Sequence, residues 1–402
     1  MVGCVDIINI VKGNLKMFFI VIKPDSTNGV LGSFSENLNN SLIKNGMESV
    51  LLDCSISFDI INLSNIVTAN SEKKCIIISF NGALGELYIE KDKNKYFDTL
   101  NCLNIAWMVD DVSYHYNRLK NSSNKKIIIC TSEYHFETLD SMDLNAIKIL
   151  GLAGTTSDNL NSNSFHKRDF DIIIPATWMG EPLRFWDNIN DNLTKKIILE
   201  TIKILKNSDE LNYFKVFKYS CIKNNINPKF DDNFFNLINL MQNYFRSFDR
   251  KKVISEFLNS DFKIGLIGSG WEKIFSSHKN FTIFDNISHS NIKDYYSNAK
   301  FVINFNSENG ASERLFDALS VGCGVITSGN DILNNYFNYN NGVVFYDRLA
   351  TGSAFDNFMI ANNDINFYKN VETGSQYVLN NHTWDYRARS LIKFLKFNLL
   401  EF

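Results

Sequence analysis

The sequence predicts an α/β protein of two domains, each a parallel sheet covered by helices, and three observations carry this. The chain has 402 residues, more than one hydrophobic core ordinarily supports, so two domains are expected. Short β-branched apolar runs alternate with helix-period segments, the pattern of parallel strands joined by crossover helices. The alternation breaks for one long helical stretch and then resumes, which marks two series of strands.

The first series opens with Met17–Lys23 (MFFIVIK), a polar loop over Pro24–Gly32 and a helix predicted over Ser33–Asn45 that stops at Gly46. Further strands are predicted at Glu48–Asp53, Lys74–Phe80, Asn104–Val109, Lys126–Thr131 and Ala146–Leu150. In open sheets of this kind ligands sit beyond the carboxyl ends of the strands. That rule points to Asp25–Gly32, Asn81–Gly85 and Asp110–His115.

Near Asp169 the pattern restarts with FDIIIPATW. Between Asn190 and Asn259 it turns helical, with Ile197, Ile198, Thr201, Ile202 and Leu205 on one side and Lys195, Lys196, Lys203 and Lys206 on or near the other. A solvated lysine face is the preferred reading over a membrane-surface helix. From Phe262 the strand series resumes as FKIGLIGSGW, FTIFD, KFVINFN, GVITS and GVVFYD. The predicted division is an N-terminal extension over 1–16, a first domain over 17–165, a second over 166–380 that includes the helical segment 190–259, and a C-terminal helix over 381–402.

Composition narrows the function classes. Apolar residues make up 45% and charged residues 21%, ordinary globular usage that excludes a fibrous or disordered chain. A net charge of −3 supplies no basic field for nucleic acid, so none is expected as a partner. The cysteines Cys4, Cys54, Cys75, Cys102, Cys130, Cys221 and Cys323 form no C-x-x-C pair and mostly lie in or beside strand-like runs. They read as free thiols of a reducing compartment, hence a cytoplasmic location. The apolar run Val5–Val11 has no cationic segment before it and is broken by Lys12, Asn14 and Lys16, so neither a signal peptide nor a span is read there. The expectation is at most peripheral contact with the inner face of a membrane. There is no HExxH and no DxD between apolar strands, so nothing calls for a metal.

The chemistry concentrates in Asn306–Ser328, NSENGASERLFDALSVGCGVITS. A short helix follows the strand Lys300–Phe305 and ends at Gly322, with Glu313, Arg314, Asp317 and Ser320 on one arc and Leu315, Phe316, Ala318 and Leu319 on the opposite one. Its first N–H groups would face the cleft, where they can hold a diphosphate. The same residues also suit an ordinary exposed helix with an Arg314–Asp317 ion pair. Gly268-Ser269-Gly270-Trp271 closes a strand with two glycines, which lets backbone approach a phosphate or base, or simply serves the turn. Trp271 either stacks on a base or fills a domain corner.

Of the neighbouring acids Asp110 and Asp111, one is read as a helix cap and the other as a general base. Asp111 with His115 is the candidate catalytic pair, and His289 is the second cleft-edge histidine. Arg184, Arg246 and Arg250 are candidate clamps for a diphosphate.

The run ERLFDALSVGCGVITS is similar to the second-domain motif of group 1 glycosyltransferases and most resembles their CgeB-like branch, with its Arg-x-Phe-acid-Ala-Leu stretch. IAWMVDD, SFDRKKVISEFLNSDFKIGLIGSGW and HTWDYRAR resemble the same branch in order and spacing. The resemblance implies the GT-B architecture: two facing Rossmann-like domains, here with a helical insertion and a C-terminal helix crossing back. It implies a nucleotide diphosphate held mainly by the second domain and an acceptor mainly by the first.

On that likeness the donor contacts are Gly268, Ser269, Gly270, Trp271, Asn309, Gly310, Ser312, Glu313, Arg314 and Asp317, with Arg250 and Arg184 as the diphosphate clamp. The wider family carries a spaced pair of acids, of which the second binds the ribose. Asp317 matches that second acid, Asn309 stands where the first would be, and Glu308 and Glu313 are the neighbouring carboxylates.

The activity implied is transfer of a sugar from a nucleotide-diphosphate sugar to an acceptor hydroxyl of a saccharide, a lipid-linked glycan or a protein. No cofactor beyond that donor substrate is expected. The missing acid at Asn309 supports an alternative, a nucleotide-sugar-binding scaffold that keeps the fold without the chemistry. A sugar-nucleotide epimerase is a third possibility.

Overall fold

The computed structural model describes residues 16–26, 29–54, 60–89, 94–157, 164–209, 211–275, 278–285, 287–305 and 310–398. The extension before Lys16 and the segment Asn306–Asn309, with Glu308, lie outside the described residues.

Both series of apolar runs become strands. In the first half, β1 (Met17–Lys23), β2 (Glu48–Asp53), β3 (Lys74–Phe80), β4 (Leu103–Trp107), β5 (Lys126–Cys130) and β6 (Ala146–Leu150) pair in parallel in the order β2-β1-β3-β4-β5-β6. In the second half, β7 (Phe170–Pro175), β8 (Ile264–Ile267), β9 (Phe281–Phe284), β10 (Ala299–Asn304), β11 (Gly324–Ser328) and β12 (Val343–Tyr346) pair in the order β9-β8-β7-β10-β11-β12, again all parallel. Parallel sheets need cover on both faces, which is why these strands read as unbroken apolar runs. The strand order reverses between β1 and β3 and between β7 and β10, and at such points the crossovers leave to opposite faces and open a crevice.

Alternation along the strands assigns the faces. Ile76, Ile78, Phe80, Ile105 and Trp107 pack with helix α1 (Val30–Lys44), through Phe34, Leu38 and Leu42. Ala106, Met108, Ile128 and Cys130 face the other way and are covered by the central helices, α2 (Asn192–Lys206), α3 (Tyr213–Lys223) and α4 (Asp232–Phe257). Ile198 and Leu205 of α2, Phe214 and Phe217 of α3, and Phe235 and Phe245 of α4 share that core. The expected assignment of 190–259 to the second domain is therefore corrected: most of the segment supplies the helical layer on that face of the first sheet. Its C-terminal end does join the second domain, because Val253, Ile254 and Phe257 of α4 pack against Ile172, Leu266 and Ile303.

The C-terminal helix α6 (Trp384–Asn398) crosses back as expected, after the short helix α5 (Glu313–Ser320) and the strands that follow it. Trp384, Ala388, Leu391 and Leu395 enter the core that holds Phe34, Phe80 and Trp107. A strap secures the crossing: Thr155 N–H donates to His382 O at 2.9 Å, and Trp384 N–H donates to Thr155 O at 3.0 Å. A Cβ at Gly154 would lie 2.7 Å from Trp384 N, so only glycine lets the two backbones meet. Arg387 donates from Nε to Ala153 O at 3.2 Å and from Nη2 to His382 Nδ1 at 2.7 Å. Burial, helped by the Arg387 charge, pushes the His382 pKa down to about 3, so the ring is neutral and accepts at Nδ1. HTWDYRAR is thus a domain fastener.

Cys54, Cys75, Cys102, Cys130, Cys221 and Cys323 are free thiols. Among the described residues no helix is long and apolar enough to cross a membrane.

The Trp384 ring, 2% exposed, lies 5.3 Å from Phe34, 5.6 Å from Phe80 and 5.9 Å from Trp107. Trp384→Ala is expected to cost about 3–5 kcal/mol, seen as a lowered denaturation midpoint in urea.

Candidate active site

The second sheet reverses its order between β7 and β10, and α4 delivers a guanidinium to that point. Arg250 donates from Nη1 to Thr177 O, just past β7, at 2.6 Å, and lies 6.0 Å from the ring of Phe305, just past β10. One turn earlier Arg246 lies 4.9 Å over the ring of Tyr114 in the first domain, and Tyr114 Oη donates to Asn243 of α4 at 3.2 Å. Residues four apart share a helix face, so one side of α4 presents a cation to each domain.

Beside Tyr114, at the carboxyl end of β4, stands Asp110. Its Oδ2 accepts from Asn81 Nδ2 at 2.8 Å and lies 3.7 Å from His115 Nε2. The Asn81 amide is itself fixed, since its Oδ1 accepts from Val109 N–H at 2.9 Å and its backbone sits in the left-handed region at φ 52°, which asparagine tolerates better than most residues. Burial works to raise the Asp110 pKa, but the His115 contact, the charge of Arg246 and the Asn81 bond outweigh it and hold the pKa below the ordinary carboxylate value. The side chain is half exposed, so an ionised carboxylate is presented at the strand end.

Asp111 is turned the other way. Its Oδ1 accepts from Ser113 N–H at 2.8 Å and caps the 3₁₀ turn Val112–His115. Its Oδ2 lies 3.6 Å from His135 Nε2, with both side chains largely buried. Burial opposes both charges, yet each keeps the other charged: Asp111 sits below the usual carboxylate range and His135 above the usual imidazole range. The expectation of Asp111 as catalytic base is corrected, because the cap and the ion pair occupy it. Asp110 holds the open position, and His115 stays beside it.

The helix α5 starts where expected, beyond β10, and buries Leu315, Phe316, Ala318 and Leu319. Its polar arc is only partly presented to solvent: Glu313 and Arg314 are half-buried, Ser320 is buried and Asp317 is only 3% exposed. Asp317 Oδ1 accepts from Thr155 Oγ1 at 2.5 Å and lies 3.9 Å from Lys293 Nζ, while Oδ2 lies 3.4 Å from His289 Nε2. His289 Nδ1 in turn meets Ser33 Oγ of α1 at 3.1 Å, and its ring stands edge-on to Phe34 at 5.3 Å. Both oxygens of Asp317 face protein groups, so the ribose contact expected of it is corrected to a buried carboxylate that joins the domains. Arg314 pairs with Glu313 at 3.7 Å rather than with Asp317.

The start of α5 is pinned as well. Ser312 Oγ donates to Asn304 Oδ1 at 2.8 Å, and Gly310 O accepts from Asn330 Nδ2 at 2.8 Å. A Cβ at Gly310, where φ is 148°, would lie 3.1 Å from Thr131 Oγ1 of the first domain. Asn309 lies outside the described residues.

Gly268 and Gly270 press on the loop after β7: Cβ atoms there would lie 2.9 Å from Ala176 O and 2.8 Å from Trp178 O. Ser269 O accepts from Trp178 N–H at 2.9 Å. Trp271 is fully buried and donates from Nε1 to Ala176 O at 2.6 Å, so it fills the corner and the expected donor contact is corrected. This glycine turn holds the loop that carries the Arg250 acceptor Thr177. Arg184 is exposed, 3.1 Å from Asp187 and 5.8 Å over Trp186. That surface pairing corrects its expected place in the diphosphate clamp.

Thr155 and Lys293 were not singled out in the sequence, and Asn81 only as the start of the strand-end loop Asn81–Gly85. Only Asn81 carries a signal there, an Asn-Gly pair closing a strand. Among the described residues no group of three or more His, Cys, Asp or Glu is placed to hold a metal ion. A cavity of about 700 Å³ lies between the ends of β5 and β6 and the C-terminal helices. Its walls include Thr131, Tyr134, Asp331, Tyr336 and Arg387 but not Asp110 or Arg250, and it meets the site described above only at Thr131, against which Gly310 packs.

Comparison with known proteins bears on the fold. Residues 250–393 match the model of a glycosyl transferase-like family. The structure is similar to sucrose-phosphate synthase from Thermosynechococcus elongatus, with a TM-score of 0.56 at 10% identity over 96% of this chain and 100% of that one. It is similar to a glycosyltransferase from Rickettsia africae ESF-5, with a TM-score of 0.54 at 13% identity over 96% of this chain and 99% of that one. It is similar too to an alpha-glucosyltransferase solved with UDP, with a TM-score of 0.58 at 9% identity over 94% of this chain and 99% of that one. No curated protein matches the sequence. The fold is GT-B: two six-stranded parallel sheets with their helices, as in those glycosyltransferases.

Two outcomes follow from the buried carboxylate. Asp317→Ala removes the carboxylate that His289 and Lys293 both contact and is expected to lower stability by about 3–5 kcal/mol, measured by urea unfolding. Although burial lowers it, contact with Asp317 raises the His289 pKa overall. The pair's contribution is therefore complete below the unfolded value of about 6.5 and is lost as pH rises through the raised folded value. The melting-temperature gap between the wild type and His289→Gln should be widest in mild acid and narrow toward alkaline pH.

Proposed function

We propose that this chain is a glycosyltransferase that moves a sugar from a nucleotide-diphosphate sugar to an acceptor hydroxyl. The observation that carries the reading is Arg250 at the β7/β10 reversal, on the same helix face as Arg246, whose charge acts on the ionised Asp110. The glycosyl transferase-like match beginning at Arg250 supports it. In the proposed reaction Asp110 takes the proton of the acceptor hydroxyl as its oxygen attacks the anomeric carbon, and the bond from that carbon to the diphosphate oxygen breaks. Arg250 and the N-terminal N–H groups of α5 face the charge that then develops on the diphosphate.

The finer parts of the proposal rest on the sequence alone, the location on its unpaired cysteines and the others on the resemblance. These are a CgeB-like relationship, a saccharide, lipid-linked glycan or protein acceptor, a role in surface polysaccharide synthesis or protein glycosylation, and a cytoplasmic location. Donor contacts at Ser269, Gly310, Ser312, Glu313 and Arg314 belong to the same proposal. The second reading, a nucleotide-sugar-binding scaffold, is favoured by the engagement of Asp317 with Thr155 and His289.

Nucleotide release over a panel of nucleotide sugars and acceptors tests the reading, and folded protein that releases none with any pair overturns it. Tight nucleotide binding without release would select the scaffold. Asp110→Asn is expected to lower kcat by about 10²–10⁴-fold while the circular dichroism spectrum stays unchanged. Because the Asp110 pKa lies below the ordinary value, the acid limb of the pH–rate profile is expected below about pH 4. Arg250→Ala is expected to weaken nucleotide diphosphate binding and lower kcat together, in contrast to Arg184→Ala, which should change neither.

A further inference from the structure

The buried stripes of α2 and α3 fill one core with the first sheet, so their opposite stripes point outward together. On α2 the outward stripe is Lys196, Leu199, Lys203 and Lys206, and on α3 it is Lys215, Tyr219 and Ile222. This is more than a solvated lysine face, since Leu199 is 42% exposed and Tyr219 and Ile222 are each 55% exposed. Of the acids nearby, Glu200 is engaged with Lys223 and Asn224 and Glu137 with Lys218, while Asp209 stays exposed between the two helices. At Lys206 the stripe runs into a cavity of about 400 Å³ whose other cations are Lys251, Lys252 and Arg348, with Leu349 exposed at its rim. Glu181 pairs with Lys251 there, and Asp249 with Arg348.

We propose that this face docks on an anionic lipid surface, with the lysines over the headgroups, Leu199, Tyr219, Ile222 and Leu349 entering the interface, and the Lys206 cavity receiving a lipid phosphate. Charge complementarity selects an anionic partner. The aliphatic side chains set among the lysines select a membrane over nucleic acid, because such groups gain by leaving water for the acyl boundary and gain little against a phosphate backbone. The net charge of −3 gives no overall pull toward an anionic surface, so the attraction has to come from a local face. The face covers the first sheet, the half to which the proposed reaction gives the acceptor; that last correspondence alone rests on the transferase reading.

Co-sedimentation of the full chain with phosphatidylcholine vesicles, with and without phosphatidylglycerol, tests the proposal without any nucleotide present. Binding is expected only with phosphatidylglycerol and is expected to weaken with added salt. Lys196→Glu with Lys203→Glu should lower the partition coefficient by about tenfold or more. Leu199→Ser with Ile222→Ser should lower it at unchanged charge. Lys273→Glu with Lys279→Glu, two exposed positions at the edge of the second sheet, makes the same change in net charge and should leave binding intact. Failure of the wild type to bind phosphatidylglycerol vesicles at low salt overturns the proposal, as does equal loss in both charge-reversed pairs. Retention on a DNA or RNA duplex without vesicle binding overturns it too.

Discussion

The architecture depends on one helix being shared by two cores. α4 runs for 26 residues, about 39 Å at 1.5 Å per residue. Its first half is buried against the first sheet through Phe234, Phe235 and Phe245, and its last turns are buried against the second through Val253, Ile254 and Phe257. Each fully buried side chain of this size is worth roughly 1.5–3 kcal/mol, so neither end leaves its core cheaply. The stretch between them is held at the cleft, and there Arg246 and Arg250 project. The spacing of the two cations is thus set by helix geometry, and any opening of the halves must pivot about α4 or unseat one of its ends.

Across the cleft the halves are tied by polar groups. A carboxylate as buried as Asp317 would carry a large desolvation penalty alone. It is tolerated because Thr155 donates to one oxygen and the basic groups of His289 and Lys293 stand on either side. Thr155 belongs to the strap that fastens α6, and His289 reaches Ser33 of α1. The partners are complete only when the linker, the first domain and the second domain are in register. Apolar burial along α4 supplies adhesion that tolerates small slips, whereas this network specifies one relative placement.

The strands could be read from sequence because both faces of each are buried, which leaves β-branched runs with sharp polar ends. The order of the strands could not, since parallel pairing leaves no mark within a strand. The amphipathic period of α2 identified its buried side correctly, but periodicity says which side is buried and not against what, and the core it joins proved to be the one that also holds Ala106, Met108, Ile128 and Cys130 of the other domain. Asp110 and Asp111 are chemically identical neighbours, and what separates them is His135, brought in from the helix after the next strand. The arc of Glu313, Arg314, Asp317 and Ser320 looked like a presented face because a polar stripe is also what one side of a buried network looks like.

That last ambiguity explains how the candidate site should be sorted. Trp271, Asp111, Asp317 and His382 each have a convincing chemical repertoire, and each has a polar group engaged in fastening one piece of backbone or one domain to another. Asp110 is positioned with equal care, by an asparagine in a left-handed turn that bonds both its carboxylate and the N–H of Val109. The difference is that its carboxylate stays half exposed at a strand end, facing a cation delivered by α4, a helix that both domains share. A group held in place by its surroundings while still open to solvent on one side is prepared for a partner that the fold itself does not provide. In this molecule that description separates the candidate base from the acids that only build the scaffold.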